Sequence, residues 1–179
     1  MPMSAEDAHR VIRAQCGDRE ALEVVLRSIQ ASLLRYVTRI VGATQADDVV
    51  QDVLVIVARK LSWLEEPRLF RAWAFRIASR VAFEYLRKAR REPIYDTDDA
   101  VLEAIAAPDA PPSEEALTKL LQSGYISPAS RAVLVLHFQE EMPLAEVAAV
   151  LDLPLGTVKS RLAYGLKALR QQLGSQRSL

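Results

Sequence analysis

Residues 68–91 read RLFRAWAFRIASRVAFEYLRKARR, and this stretch restricts the fold more than any other feature of the chain. Phe70, Ala74, Ile77, Val81 and Tyr85 recur at steps of three and four, the spacing of an amphipathic helix with one buried face. A second stripe runs beside the first. At about 100° per residue, Arg76, Arg80, Arg87 and Arg91 fall within roughly 60° of one another, with Trp73 at the edge of the arc. A helix that is core on one side and guanidinium on the other suits a nucleic-acid strand, because cations meet phosphates and a flat ring meets an unstacked base. A solvated basic face on an ordinary core helix has the same pattern, so the stretch alone leaves both readings open.

The helical period recurs along the chain. Ser4 is placed to cap a short helix over residues 4–15, with Glu6 and Asp7 in its first turn. Gly17 suits the end of that helix, and Asp18 suits the cap of a long one over residues 19–41 that stops at Gly42. Thr44 can cap a third helix with Asp47 and Asp48 in its first turn and Val49, Val53, Ile56, Val57 and Leu61 as its buried stripe. Asp48, Gln51 and Asp52 point away from that stripe, among apolar neighbours such as Val50 and Leu54. Such a polar edge is either plain solvated surface or a docking surface with an apolar centre and a polar rim. Trp63 is expected in the core. Pro67 then separates this helix from the basic one. With helix after helix and no strand pattern, the fold class is all-α.

Net charge is zero, but the charges are segregated. Residues 68–91 hold eight cations against Glu84 alone. Residues 95–115 hold seven acids and no base, and after Asp152 there are five cations and no acid. A neutral total therefore hides two basic patches, each able to face a polyanion. The acidic stretch carries Pro93, Pro108, Pro111 and Pro112 and has little periodicity, which reads as a flexible linker over residues 93–112. It joins two small helical domains, residues 1–92 and 113–179.

Several function classes are not expected. The single cysteine, Cys16, allows no intramolecular disulfide and no thiolate metal cluster. His9 and His137 lie far apart without other ligand-type residues at metal spacing. With no glycine-rich phosphate loop and no nucleophile elbow, neither an enzyme nor a cofactor is expected. The chain starts without a signal pattern, and no apolar run approaches the roughly 18 residues of a membrane span. A soluble cytoplasmic protein without membrane insertion is expected.

In the last third, Ser127-Pro128 marks a helix start. That helix carries Val133, Leu134, Leu136 and Phe138, and a short helix over residues 144–151 follows. After a break at Asp152-Leu153-Pro154 a final helix opens, with Val158, Leu162, Leu166, Leu169 and Leu173 on its core face. Thr157, Ser160, Tyr164 and Lys167 lie opposite, flanked by Lys159 and Arg161. Two short helices, a tight turn and a polar-basic second helix describe a helix-turn-helix, whose second helix enters the major groove. They also describe an ordinary helical hairpin.

Taken together these motifs resemble a known family. Gly156-Thr157-Val158-Lys159-Ser160-Arg161-Leu162, after LAEVAAVLDLPL, resembles the promoter-reading helix-turn-helix of group 4, extracytoplasmic-function sigma factors. Ala46-Asp47-Asp48-Val49-Val50-Gln51-Asp52-Val53 is similar to the family's core-polymerase-binding helix. Phe70-Arg71-Ala72-Trp73 followed by Arg76-Ile77-Ala78 is similar to its promoter-melting helix. Gly17-Asp18 in the first break fits as well, so the resemblance spans nearly the whole chain in the family's order.

The resemblance implies specific roles. The first domain, sigma region 2, binds core RNA polymerase through Asp47, Asp48, Val49, Gln51 and Asp52. Its basic helix holds the separated non-template strand of the minus-ten element through Phe70, Trp73, Arg76, Arg80, Arg87 and Arg91, and the loop over residues 64–69 accepts a flipped base. The second domain, sigma region 4, reads the minus-thirty-five element through Thr157, Lys159, Ser160, Arg161, Tyr164 and Lys167. The linker threads the polymerase channel, and an anti-sigma factor or other regulatory protein is an expected partner beside polymerase and promoter DNA. A helix-turn-helix regulator acting on duplex DNA without polymerase is the alternative. The chain departs from the family at Arg80, usually Asn, at Glu84, usually Asp, and at Tyr164 and Leu166, both usually Arg. Asn both donates to and accepts from a base edge whereas Arg only donates, and Arg is the standard bidentate reader of guanine. An atypical promoter, or reliance on a partner for affinity, is the expected consequence.

Overall fold

The computed structural model describes residues 3–90, Leu121 and residues 126–176 of the 179, except the side chains of Arg90, Leu169 and residues 172–176. The expected linker, nearly all of the expected helix at 113–122, and Arg91 lie outside the described residues. Every element described is helical. The chain divides into two compact units, Met1–Glu92 with Ala149–Asp152, and Pro93–Ala148 with Leu153–Leu179.

The first unit is built on α1 (Ala5–Gln15), α2 (Arg19–Val41), α3 (Ala43–Lys60) and α4 (Phe70–Arg90). Its helix ends are set by local chemistry. The Ser4 hydroxyl accepts from the Asp7 amide at 3.1 Å and caps α1. At the other end Gly17 takes φ 94°, and the Asp18 amide reaches back to the Arg13 carbonyl at 3.1 Å, a glycine-terminated helix end. The Asp18 carboxylate accepts from the Ala21 amide at 3.0 Å and opens α2. Gly42 joins α2 directly to α3 at φ 97°, ψ 162°, a region essentially reserved for glycine. Because that one residue makes the turn, α3 begins at Ala43 with Gly42 at its cap and no side-chain capping bond. Thr44, expected as the cap, is already inside the helix, and Asp47 and Asp48 lie beyond its first turn.

α2 packs against α1, α3 and α4, and α3 packs against α4. Leu33, Tyr36, Val37, Val53, Val57 and Phe75 form the centre of this core. The Tyr36 and Phe75 rings meet edge to face, centroids 5.4 Å apart.

The buried face of α4 differs from the expected one. Phe70, Ala74, Phe75, Ala78, Ser79, Ala82 and Leu86 are buried, whereas Ile77, Val81 and Tyr85 are only half-buried. At about 100° per residue, the buried arc is turned by roughly 80° from the expected stripe. The reason is size. Ala74, Ala78 and Ala82 bring the α4 backbone close to α2 and α3, and the bulkier Ile77, Val81 and Tyr85 are left at the boundary. The rotation sets the core side of α4 nearly opposite Arg76, Arg80 and Arg87.

The second unit holds α5 (Pro128–Leu134), a π turn at Val135–Gln139 where a continuous helix was expected, and α7 (Leu155–Gln176). The Ser127 hydroxyl accepts from the Ser130 amide at 3.1 Å, with Pro128 opening α5. α5 packs on α7. Their approach is close: a Cβ on Gly165 would stand 2.7 Å from Leu134 Cδ1. In chain order α6 (Leu144–Leu151) precedes α7. Between them Asp152 takes φ 58°, and the Pro154 carbonyl accepts from the Val158 amide at 3.1 Å.

Candidate nucleic-acid interface

Three exposed helix faces and one loop carry the residues singled out by sequence. On α3, Asp47, Asp48, Gln51 and Asp52 are all exposed. Val49 and Val50 are buried. Val49 therefore supports this face from beneath, and Val50, expected among its exposed apolar neighbours, belongs to the core. The apolar centre is instead Val55, 48% exposed. Sequence reasoning passed over Val55, although it stands four residues after Gln51 and three after Asp52, the spacing that shares a helix face. At about 100° per residue, Asp47, Asp48, Gln51, Asp52 and Val55 fall within roughly 140°. Three carboxylates around one valine form a surface suited to a cationic protein partner with an apolar residue at its middle.

On α4, Arg80 and Arg87 are exposed and Arg76 is half-exposed. Phe70 is buried. Its ring lies 6.4 Å from that of Trp73, tilted 40°, so Phe70 backs the half-buried Trp73. The Arg71 guanidinium lies 5.4 Å from the Phe75 ring centroid, a cation–π contact that fastens the start of α4 to the core. Glu84, the one acid of this helix, pairs with Lys88 at 2.8 Å. The Lys88 hydrogen bond, then its charge, hold the Glu84 carboxyl below its ordinary value. The exposed arginines leave a cationic row on the side of α4 away from the core, the placement that phosphate contacts require.

On α7, Lys159, Tyr164 and Lys167 are exposed, and Thr157 and Ser160 are half-buried. The Ser160 hydroxyl donates to the Thr157 carbonyl at 2.9 Å. Arg161, expected to flank this face, is 9% exposed. It stands three residues after Val158 and four before Gly165, both buried, so its place on the helix is a core place. Leu166 is buried as well.

The loop between α3 and α4 contains the largest departure from expectation. Trp63, expected in the core, is 72% exposed. It ends a 3₁₀ turn, Leu61–Trp63, where helical spacing no longer tells which way a side chain faces. Leu61 and Leu64 on either side are buried. The Gln15 side-chain amide of α1 donates to the carbonyls of both, at 2.9 and 2.7 Å. Nothing in the sequence flagged Gln15, because its partners are 46 and 49 residues away. A second 3₁₀ turn, Pro67–Leu69, capped by Glu66, runs straight into α4.

His137 is half-buried, its Nδ1 bonded to the Met142 carbonyl at 2.9 Å, while His9 and Cys16 are exposed. Among the described residues no cluster of His, Cys, Asp and Glu could hold a metal ion, and no helix is long and apolar enough to cross a membrane.

Comparisons with known proteins agree with this layout. Residues 25–92 match the family model for sigma-70 region 2, and residues 126–171 match that for sigma-70 region 4. The chain is 32% identical to the ECF RNA polymerase sigma factor SigL of Mycobacterium tuberculosis, covering 94% of this chain and 99% of that protein. It is 26% identical to the ECF sigma factor SigW of Bacillus subtilis, over 92% of this chain and 95% of the relative. It is 28% identical to the ECF sigma-E factor of Escherichia coli, over 89% and 90%. Among solved structures, CnrH in complex with the cytosolic domain of CnrY shares the fold at a TM-score of 0.65 and 24% identity, covering 94% of this chain and 97% of that one. The sigma factor RpoE of Bartonella quintana, in complex with the anti-sigma factor NepR, does so at 0.65 and 24%, covering 85% and 96%. With near-complete coverage of a relative above 30% identity, and both sigma-70 regions matched in order, this chain belongs to the ECF sigma factors of the sigma-70 family.

Proposed function

We propose that the chain is a dissociable specificity subunit of RNA polymerase, not itself a catalyst, working in the cytoplasm. The α3 face of Asp47, Asp48, Gln51 and Asp52, centred on Val55 and underpinned by Val49, docks on the core enzyme. The α4 row of Arg76, Arg80 and Arg87, edged by Trp73, holds the separated strand of the minus-ten element, and the sequence assigns Arg91 to the same role. The α7 face of Thr157, Lys159, Ser160, Tyr164 and Lys167 reads the minus-thirty-five element as duplex. Residues 93–112 connect the two activities. One solved relative, the sigma factor RpoE of Bartonella quintana, is in complex with the anti-sigma factor NepR, and an anti-sigma factor is the corresponding partner for this chain.

The observation that carries the proposal is the row of arginines on α4, set opposite its buried arc within the same unit as the acidic α3 face. A regulator acting on duplex DNA alone would have no use for either feature. The test is in vitro transcription with purified core enzyme on genomic fragments. The chain should give discrete promoter-dependent products, and Asp48→Arg or Gln51→Arg should abolish them while leaving the fold intact by circular dichroism. Full-strength product from both variants would remove the docking assignment.

A further inference from the structure

α1 carries none of the residues assigned above to polymerase or DNA, yet one polar side chain ties it to the segment that leads into α4. Gln15 is the last residue of α1 and continues the buried stripe of Ala8 and Val11, a place that suits an apolar side chain. Its amide is explained by what lies opposite. Nε2 donates to the Leu61 carbonyl at 2.9 Å and to the Leu64 carbonyl at 2.7 Å, which uses both of its hydrogens. The two carbonyls bracket the 3₁₀ turn Leu61–Trp63. Leu61 is also the residue at which α3 ends, where helical carbonyls lose their partners within the helix. Its oxygen accepts a second bond from the Leu64 amide at 3.1 Å, so both lone pairs are engaged. The Leu61 and Leu64 side chains are buried, but apolar burial is non-directional and sets the depth of this segment without fixing its rotation. Two bonds from one nitrogen fix that rotation. α1 also packs against the second turn, Pro67–Leu69, which runs into α4 with no intervening residue. The end of α1 is itself held: the Cys16 amide bonds the Ile12 carbonyl at 3.0 Å, and Arg13 Nε donates to the Asp18 carboxylate at 2.9 Å. A fixed helix end thus meets the joint between α3 and α4 through one side chain.

We infer that Gln15 is a positioning residue for promoter opening. By clamping Leu61 and Leu64 it sets the path of residues 61–69, and with it the angle at which Trp73 and the α4 arginines meet the separating strand. The inference rests on the proposed function, and the experiment separates the two. Gln15→Met keeps the length and packing of the side chain without its donors. Gln15→Glu keeps its shape, but an ionised carboxylate only accepts. Hydrogen exchange on the free, full-length chain comes first. Both variants should speed exchange of the Leu64 and Leu69 amides, which bond the Leu61 and Glu66 carbonyls, and leave the amides of α2 as slow as in the native chain. Holoenzyme assembled from core polymerase and each chain is then followed on a duplex promoter, by upstream footprinting for capture and by permanganate reactivity of thymines for opening. Opening should fall roughly ten-fold in Gln15→Met, the equivalent of two ordinary hydrogen bonds. It should fall further in Gln15→Glu, where a carboxylate faces two carbonyl oxygens. Core binding and duplex capture should stay at native levels, a separation that a merely structural role would not produce. Native levels of opening in both variants overturn the positioning role and leave the proposed function standing. Exchange accelerated throughout the first unit, with core binding, capture and opening lost together, also overturns it, in favour of a bond that only holds the fold. Absence of any opening by the native holoenzyme would instead count against the function itself.

Discussion

The hydroxyl pair between α2 and α4 yields an asymmetric prediction. Tyr36 Oη and Ser79 Oγ lie 2.7 Å apart in the core, and Ser79 Oγ lies 2.8 Å from the Phe75 carbonyl. The carbonyl can only accept, so the one Ser79 proton goes there, and Tyr36 must donate to Ser79. Tyr36→Phe removes a donor but leaves Ser79 bonded to Phe75, at about 0.5–1.5 kcal/mol. Ser79→Ala strands the Tyr36 hydroxyl, which is fully buried, at about 1–3 kcal/mol less a few tenths for the better helix former. In the double variant no polar group is orphaned. Its cost should therefore stay near that of Tyr36→Phe alone, a coupling of about 1–2 kcal/mol. Both tryptophans, Trp63 and Trp73, belong to this unit, so urea unfolding followed by tryptophan fluorescence reports it selectively. The buried Tyr36 hydroxyl also has a pH signature. Burial pushes the Tyr36 phenol above its ordinary 10.0, opposed in smaller part by the Ser79 hydrogen bond. A raised folded value means the contribution is whole below pH 10 and is lost as pH climbs from there toward the raised value. The slope approaches about 1.4 kcal/mol per pH unit. Tyr36→Phe should flatten that alkaline limb. Additive single costs would refute the assignment of donor and acceptor, and an alkaline limb unchanged in Tyr36→Phe would refute the buried phenol as its source.

Other perturbations have equally definite outcomes. Gly42→Ala forces a side chain into φ 97°, ψ 162° and should cost the first unit about 1–3 kcal/mol in the same urea assay. Gly165→Ala sets a methyl 2.7 Å from Cδ1 and 3.1 Å from Cγ of Leu134, itself walled in by the core. Overpacking of about 1–3 kcal/mol outweighs the roughly 1 kcal/mol of helix propensity gained, so thermal unfolding by circular dichroism should show a net loss, and a gain would mean that Leu134 can swing aside. The Asp18 carboxyl is held below its ordinary 3.8 by the Ala21 amide and then by Arg13. Its contribution is therefore present above pH 3.8 and lost as pH falls through the lowered value, and the stability gap between native and Asp18→Asn protein should close on acidification. Arg76→Ala should leave duplex promoter capture intact yet reduce permanganate reactivity of the opened thymines, and undiminished reactivity would remove Arg76 from the strand contact.

What was legible in the sequence was chemistry confined to a few neighbouring residues. Ser4, Asp18 and Ser127 cap helices because an acceptor two or three residues before an orphan amide does so in any context. Gly17 and Gly42 end helices because few other residues adopt their backbone angles. What was hidden depends on residues far apart in the chain. The buried side of α4 is chosen by which stripe lets backbones approach, so alanines that carry little weight in a hydrophobic pattern displaced Ile77, Val81 and Tyr85. Thr44 failed as a cap because a single glycine completed the turn before it. Trp63 went outward because Leu61, Leu64 and the distant Gln15 already determine the loop. Arg161 looked like a DNA reader by residue type, though its steps to Val158 and Gly165 place it on the packed arc.

The buried positions also narrow the meaning of the chain's departures from its family. Two usual arginines of the recognition helix are replaced, but Leu166 lies in the core, where a guanidinium could not reach a base without unpacking α7 from α5. Only Tyr164, 41% exposed, presents a changed surface. There a charge-assisted fork gives way to a ring that can meet a thymine methyl or donate one hydrogen bond to a phosphate. On α4 the change runs the other way, because Arg80 adds a cation to an exposed row where the family usually carries an amide. In the proposed function, cationic contact thus moves from the helix that reads paired DNA to the helix that holds the separated strand. Each duplex phosphate contact contributes about 0.9 to the salt exponent, and each single-strand contact about 0.7. We therefore predict that promoter capture by this chain is less salt-sensitive at the first encounter than for a relative with an exposed arginine at position 164, and that the opened complex relies more heavily on α4.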